Sequence, residues 1–280
     1  MTLELVRHPW NHSFTWTSAA SVPRRLSVGQ TKQFDELGFV VLDDAFSADE
    51  VGALLAEIDV IEARIEEFLR GLEGERMMIA EAGAITFSVH LVAQSEALHK
   101  FACHPLLVDL CADLIGPDVN LYWDQAVYKK PQKPRRFPWH QDNGYTFVTP
   151  QQYLTCWIAL TDTTIANGCP WVAPGLHLNG TLQHSYVDPL GWECFSEPPN
   201  ATPAEVRAGG VVVFSSLTPH LTGPNTTPEV RKAYILQYAP SGARMLLGDP
   251  SAGAPTAERS CDDPSRQFPI LRAGQPVEHR

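Results

Sequence analysis

Residues 139–147 read WHQDNGYTF. His140 and Asp142 stand two apart, and in an extended strand residues i and i+2 project to the same side. An imidazole and a carboxylate presented together are two of the three protein ligands that non-haem Fe(II) takes when positions must stay open for a co-substrate and O2. A second imidazole must then arrive from elsewhere. H-x-D alone is a weak signal in a chain with ten histidines, because the spacing arises readily by chance. His8, His12 and His279 are terminal, and His90, His99 and His104 precede the strand-rich part of the chain. That leaves His177, His184 and His220. His220 closes GGVVVFSSLTPH, a strand-like run followed by a Pro turn. Arg231 stands eleven positions later, at the head of RKAYILQYA. If that strand lies antiparallel beside the one before it, Arg231 falls one layer deeper than His220, with Ala233 and Ile235 as inward neighbours. A guanidinium there can clamp a carboxylate through two parallel hydrogen bonds.

These side chains need a scaffold. Residues 1–28 read as an irregular arm. GQTKQFDELG (29–38) reads as a short helix closed by Gly38, and FVVLDDAF as a strand running into a turn. Ser47 and Glu50 form an S-x-x-E capping box. After it Val51, Leu54, Leu55, Ile58, Ile61, Ile65, Phe68 and Leu69 recur at helical spacing, which predicts an amphipathic helix over 48–70. A second helical span covers 96–115, with Leu98, Phe101, Leu107, Leu110 and Leu114 inward and Pro105 placed to split it. From about residue 120 the texture changes. NLYWDQAVYK, YLTCWIALTD, CPWVAPG, GGVVVFSS and RKAYILQYA are strand-length, rich in β-branched or aromatic residues, and separated by Gly, Pro and Asn. Helices followed by a run of strands predict a mainly β fold with flanking helices, an antiparallel double-sheet barrel with the helices on one face. Residues 29–240 form one domain, and 241–280 read as a peripheral C-terminal extension.

The 280 residues carry a net charge of −11, which disfavours a nucleic-acid partner. The local basic cluster Lys129, Lys130, Lys133, Arg135 and Arg136 reads as a solvated loop face. The N-terminus lacks the apolar run of a signal peptide, and no stretch approaches a membrane span, so a cytoplasmic protein is expected. Six cysteines without a C-x-x-C pair are expected as reduced thiols and argue against a zinc site.

The arrangement of H-x-D, a distant His, and an Arg eleven residues beyond it resembles the phytanoyl-CoA dioxygenase family, Fe(II)/2-oxoglutarate-dependent oxygenases on a double-stranded β-helix (a jelly-roll, cupin-like barrel). The likeness covers most of residues 30–240. QTKQFDELGFVVLDDAFSADEV resembles the family's helix–strand–helix entry, and WHQD its first metal motif. CWIALTDTTIANGCPWVAPGLH resembles its central segment, with Leu176 where a Ser is usual. GGVVVFSSLTPHLTGPNTTPEVRKAY resembles its second metal and oxoglutarate segment.

That resemblance implies His140, Asp142 and His220 as Fe(II) ligands. It implies Arg231 as partner of the distal carboxylate of 2-oxoglutarate, Thr222 as a hydroxyl donor to the same group, and Trp157 as a pocket wall. Gln125 and Lys129 stand where the family often has polar contacts to co-substrate. His177 is expected to be structural, and Asn167-Gly168 to be a turn with positive φ. Relatives that transfer halide carry a small residue in place of the carboxylate, so Asp142 implies hydroxylation rather than halogenation. Trp139, Gln141, Tyr145 and Phe147 surround the triad in sequence and are expected to line the pocket of a small-molecule substrate. The oligomeric state is not readable. Two other readings keep the barrel: a cupin-like lyase or isomerase, which would have no use for Arg231, and a non-catalytic binding barrel, which would need neither metal ligands nor Arg231.

Overall fold

The structure, a computed structural model, describes residues 5–198 and 200–278. Helix α1 (Val28–Leu37) starts at a capping box of Ser27 and Gln30 and ends at Gly38, whose φ is 83°. A Cβ at Gly38 would lie 2.5 Å from the Thr218 hydroxyl, so glycine is required there by contact as well as by backbone. Strand β1 (Phe39–Leu42) follows, then α2 (Ala48–Arg70) behind the Ser47–Glu50 capping box. The second helical span breaks at Cys103-His104 into α3 (Glu96–Ala102) and α4 (Pro105–Leu114). Pro105 opens α4, where its missing N–H costs nothing.

The barrel is built from β2 (Ile85–Val89), β3 (Val119–Lys129), β4 (Phe137–His140), β5 (Leu154–Ala159), β6 (Pro170–Val172), β7 (Thr202–Pro203), β8 (Val211–Ser215), β9 (His220–Thr222) and β10 (Arg231–Pro240). The larger sheet runs β1–β8–β5–β10–β3–β2, and the smaller β7–β6–β9–β4, with every one of these pairings antiparallel. Alternation sorts the large sheet's side chains. Phe39, Val127, Trp157, Val212, Ala233 and Ile235 face inward and cluster with Val172 and Phe137 of the small sheet. Val40, Ile158, Val213 and Leu236 face outward and pack under Ile58, Leu98, Leu107 and Leu110 of the helices. Each of those four helix residues is fully buried and contributes about 1.5–3 kcal/mol through removal from water.

The expected mainly β, double-sheet barrel with flanking helices is the architecture observed. Two expectations at its margins are corrected. The C-terminal segment is not peripheral: Pro269–Arg272 pairs with β3, and Phe268, Ile270 and Leu271 are buried in the helix-covered core. Its short apolar run is masked in sequence by polar surroundings. The arm is irregular, as expected, and hydrogen bonds tie it to the rest of the chain. His8 N–H donates to Thr181 O (3.0 Å), Asn11 Nδ2 to the carbonyls of Asn179 and Thr181 (2.9 Å each), and Trp10 Nε1 to Gly253 O (2.7 Å). Apart from Lys129, which is buried among carbonyls, the basic cluster is an ion-paired seam rather than a solvated face. Lys130 meets Glu62 (2.7 Å), Lys133 meets Glu75 and Glu81 (3.0 and 3.2 Å), Arg135 meets Glu81 (2.8 Å) and Arg136 meets Glu193 (2.7 Å). All six cysteines are free thiols. Among the described residues no helix is long and apolar enough to cross a membrane.

Candidate metal centre and co-substrate pocket

Strands β4 and β9 lie side by side, with His140 directly opposite His220 and their ring centroids 4.1 Å apart. The next pair is Thr222 with Phe137, so three steps of β4 match two of β9. Such a bulge re-aims side chains. Phe137, an odd number of residues from His140, thereby meets its ring edge-on at 4.6 Å. The chain leaves β4 at His140, and Asp142 is the first residue of a single helical turn, α5 (Asp142–Tyr145), rather than part of the same strand. Its Oδ1 lies 3.8 Å from both His140 Nε2 and His220 Nε2. One donor atom from each of the three residues falls within 4.8 Å of the others, and this is the metal-competent cluster among the described residues.

The backbone sets the tautomers. His140 Nδ1 lies 2.9 Å from Pro138 O, and His220 Nδ1 3.0 Å from Thr218 O. A carbonyl only accepts, so each Nδ1 carries a proton, and Nε2 is the ring nitrogen left facing Asp142 as the candidate ligand atom. Burial, reinforced by the neighbouring His220, pushes the His140 pKa well below the usual range and keeps it in the neutral form that ligates.

The other two candidate histidines are occupied elsewhere. His177 is fully buried beneath Trp16, whose ring meets it edge-on at 4.5 Å, with Nε2 3.1 Å from Asp35 O. His184 sends Nδ1–H to Leu182 O (2.9 Å) and accepts the Gln141 N–H at Nε2 (3.0 Å). Its ring lies against Gly144, where a Cβ has no room.

Arg231 does not stand on a strand adjacent to His220, as its spacing suggested. β9 belongs to the small sheet and β10 to the large one, so the two residues approach from opposite walls of the barrel. Ala233 and Ile235 do face inward with it. Arg231 is 1% exposed. Its Nη1 donates to Val127 O at 3.3 Å, its guanidinium lies 5.1 Å from the centre of the Trp157 ring, and its Nε and Nη2 have no partner. Directly opposite on β3 is Lys129, also buried, whose Nζ donates to the carbonyls of Arg135 (3.0 Å), Thr222 (2.9 Å) and Gly223. Two buried cations thus oppose one another, and neither forms an ion pair among the described residues. Burial lowers the Arg231 pKa to about 9, and burial followed by Arg231 itself pushes that of Lys129 well down. An unpaired buried cation costs several kcal/mol. A carboxylate that took two parallel bonds from the free edge of Arg231 would relieve it. The donor set at the triad and the anion-demanding end at Arg231 both fit iron with 2-oxoglutarate.

The remaining predicted residues divide. Thr222 is buried two residues beyond His220 on β9, and Gln125 is half-buried opposite Ile235, in the same register row as Trp157. Tyr145 meets His140 edge-on at 5.3 Å and stacks on Phe137. Its hydroxyl accepts the Trp192 N–H at 3.2 Å. The expectation for Lys129 is corrected: its three protons are committed to carbonyls, so it contributes charge and not a free donor. Gln141 is corrected as well. It is fully buried, donates to Gly180 O (3.0 Å) and Leu217 O (2.6 Å), and accepts the Leu182 N–H (2.6 Å). No polar atom remains for a substrate, and the residue instead ties the H-x-D turn to the segment leading into His220. Phe147 is buried against His8 and Trp10 of the arm, and Trp139 packs on Phe195, so neither ring joins the Phe137–Tyr145 group around His140. Sequence reasoning missed Thr155 of β5, whose hydroxyl donates to Asp142 Oδ2 at 2.5 Å. A lone hydroxyl in the apolar run LTCWIA was its only signal.

Comparison with known proteins agrees with this geometry. The family model described as phytanoyl-CoA dioxygenase matches residues 34–233. An ectoine dioxygenase of Bordetella parapertussis is 27% identical over 76% of this chain and 75% of its own length. A methylphosphonate hydroxylase of Gimesia maris is 26% identical over 76% and 80%. The crystal structure of EctD from S. alaskensis with 2-oxoglutarate and 5-hydroxyectoine superposes with a TM-score of 0.62, at 25% identity, over 86% of this chain and 85% of that one. The match of one family model across most of the barrel, together with an iron-ready triad and a carboxylate-ready arginine, establishes that this chain belongs to the phytanoyl-CoA dioxygenase family of Fe(II)/2-oxoglutarate-dependent dioxygenases.

Proposed function

We propose that the enzyme hydroxylates a C–H bond of a small organic substrate, with His140, Asp142 and His220 as iron ligands and Arg231 as the anchor for 2-oxoglutarate. The observation that carries this reading is the buried Arg231 guanidinium with two atoms unpartnered across the barrel from the triad. A lyase or isomerase on the same barrel has no use for that group.

When bound, iron with 2-oxoglutarate supplies the oxidising chemistry from O2, releasing succinate and CO2. The chain's own residues do the positioning. His140 and His220, oriented with Nε2 inward by backbone carbonyls at their Nδ1 atoms, would present two ligand nitrogens beside the Asp142 carboxylate. Arg231 fixes the distal carboxylate of the co-substrate, with Trp157 across its face, and Thr222, whose carbonyl accepts a bond from Lys129, offers its hydroxyl to the same group. Lys129 adds a second positive charge behind it. Gln125, in the same register row as Trp157 and with its Oε1 accepting from Trp123 Nε1 at 3.2 Å, would offer its amide N–H to the co-substrate. No protein acid or base is needed. Asp142 occupies a position that halide transfer would require open, which favours oxygen delivery.

On the substrate side stands Tyr145, tied to Trp192, which in turn packs edge-on against Tyr186 at 5.7 Å. Trp192 and Tyr186 are both partly exposed, and such rings suit an apolar or ring-bearing part of a substrate. The relatives named for ectoine and methylphosphonate place small organic molecules within the reach of this family. Six free thiols accord with a cytoplasmic setting. The test is a panel of candidate compounds scored for stimulated succinate release and for a product one oxygen heavier. Stimulated succinate with an equimolar hydroxylated product supports the reading. A product of unchanged mass formed without 2-oxoglutarate consumption would replace it with the lyase or isomerase.

A further inference from the structure

The two oxygens of Asp142 have different neighbours. Oδ1 is 3.8 Å from each histidine Nε2. Oδ2 accepts a 2.5 Å hydrogen bond from Thr155 Oγ1. Thr155 is 1% exposed and is the sole hydroxyl on β5. Its register partner on β10, Gln237, places Nε2 3.4 Å from the same Oγ1. Because the Gln237 amide N–H can only donate, the Thr155 proton is directed at Asp142. The β-branched side chain is stiff about χ1, and it sits in the middle of a sheet paired on both sides. The hydroxyl therefore reaches the carboxylate from a rigid wall, whereas Asp142 itself sits on a single helical turn.

We propose that Thr155 is a positioning residue that holds Asp142 to one-oxygen ligation. The inference rests on the iron and 2-oxoglutarate reading above. Two imidazoles, one carboxylate oxygen and two atoms of 2-oxoglutarate would take five positions of a six-coordinate ion, and one would remain for O2. If Oδ2 also turned to the metal, six positions would be filled. Thr155 keeps that oxygen engaged on the protein side and fixes the orientation of Oδ1.

The test compares Thr155→Val, which keeps shape and removes the hydroxyl, with Thr155→Ser, which keeps the hydroxyl. Fe(II) affinity is measured by anaerobic titration in the presence of 2-oxoglutarate, and Co(II) substituted for iron reports a change of ligand set through its visible spectrum. Loss of a hydrogen bond to a metal ligand typically lowers metal affinity about 10- to 100-fold. That loss is expected for Thr155→Val, with a Co(II)–2-oxoglutarate spectrum altered from that of wild type, and with recovery of both in Thr155→Ser. Thermal melting of the metal-free proteins separates a purely structural role. If Thr155→Val has wild-type metal affinity and spectrum, the proposal is overturned. It is also overturned if Thr155→Val and Thr155→Ser lose affinity and apoprotein stability in parallel. Failure of the wild type itself to bind Fe(II) with 2-oxoglutarate would instead overturn the underlying functional reading.

Discussion

Replacing Arg231 with leucine removes a cation that the folded barrel holds without a carboxylate partner. Burial lowers its pKa from 12.5 to about 9. At about 1.4 kcal/mol per pH unit, that is on the order of 5 kcal/mol held against the charged form. The side chain has one long hydrogen bond, to Val127 O at 3.3 Å, to set against this. An apolar side chain under Trp157 forfeits that bond and the contact with the ring, but it also ends the desolvation cost. The metal-free Arg231→Leu protein is therefore expected to be at least as stable as wild type by thermal melting. Co-substrate binding should move the other way. Removing one partner of a desolvated charge pair costs about 2–5 kcal/mol, so 2-oxoglutarate affinity should fall roughly 30-fold or more. Anaerobic titration of 2-oxoglutarate into the Fe(II) protein, followed by its visible charge-transfer band, measures this directly. Arg231→Lys keeps the charge without the two-pronged edge and should fall between. A Leu variant that binds 2-oxoglutarate as tightly as wild type would refute the assignment. A Leu variant with unchanged affinity and a lower melting temperature would make Arg231 a structural cation.

Three further outcomes follow from the same geometry. Asp142→Gly should bind iron more weakly and, with 2-oxoglutarate present, should change its visible spectrum on addition of chloride or azide. Wild-type iron content and no anion response would remove Asp142 from the ligand set. Gln141→Leu leaves Leu182 N–H, Gly180 O and Leu217 O buried without their partner, and should destabilise the fold by about 3 kcal/mol in chemical denaturation. A change of under about 0.5 kcal/mol, within the range of ordinary surface substitutions, would deny the tie. His177 is fully buried with its pKa lowered to about 4 by burial. Unfolded chains bind the proton at ordinary histidine pKa while the folded form does not, so stability falls as pH drops from about 6.5 toward 4. At pH 5 His177 alone accounts for about 2 kcal/mol of that fall. His177→Phe should flatten this part of the profile, and an unchanged profile would mean that the ring titrates normally in the fold.

What the sequence reveals depends on whether the signal is local. The 48–70 helix was legible because the capping box and the 3.6-residue period are both contained in the segment that forms it. The strands of the barrel announced themselves by length, β-branched content and flanking turns. H-x-D and the distant His–Arg pair were legible as chemistry, but their placement was not. The assignment of β9 and β10 to opposite sheets is a property of strand order, which no local pattern encodes. Gln141 shows why polar type alone misleads. The same amide that reads as a substrate contact is fully buried and bonded to three backbone groups more than 35 residues away. Phe147 likewise read as a pocket wall, yet it anchors the N-terminal arm through His8 and Trp10. Thr155 carried almost no signal, because threonine in a strand is ordinary and only its distance to Asp142 marks it.

The most direct measurement of the central claim is anaerobic addition of Fe(II) and 2-oxoglutarate to wild type, His220→Ala, His177→Ala and His184→Ala, followed by the visible charge-transfer band and by iron stoichiometry after desalting. With His140, Asp142 and His220 as the ligands, wild type binds one iron and develops the band, His220→Ala loses both, and His177→Ala and His184→Ala, where folded, retain both. A band that survives His220→Ala and disappears in folded His177→Ala or His184→Ala would place the second imidazole elsewhere and contradict the site described here.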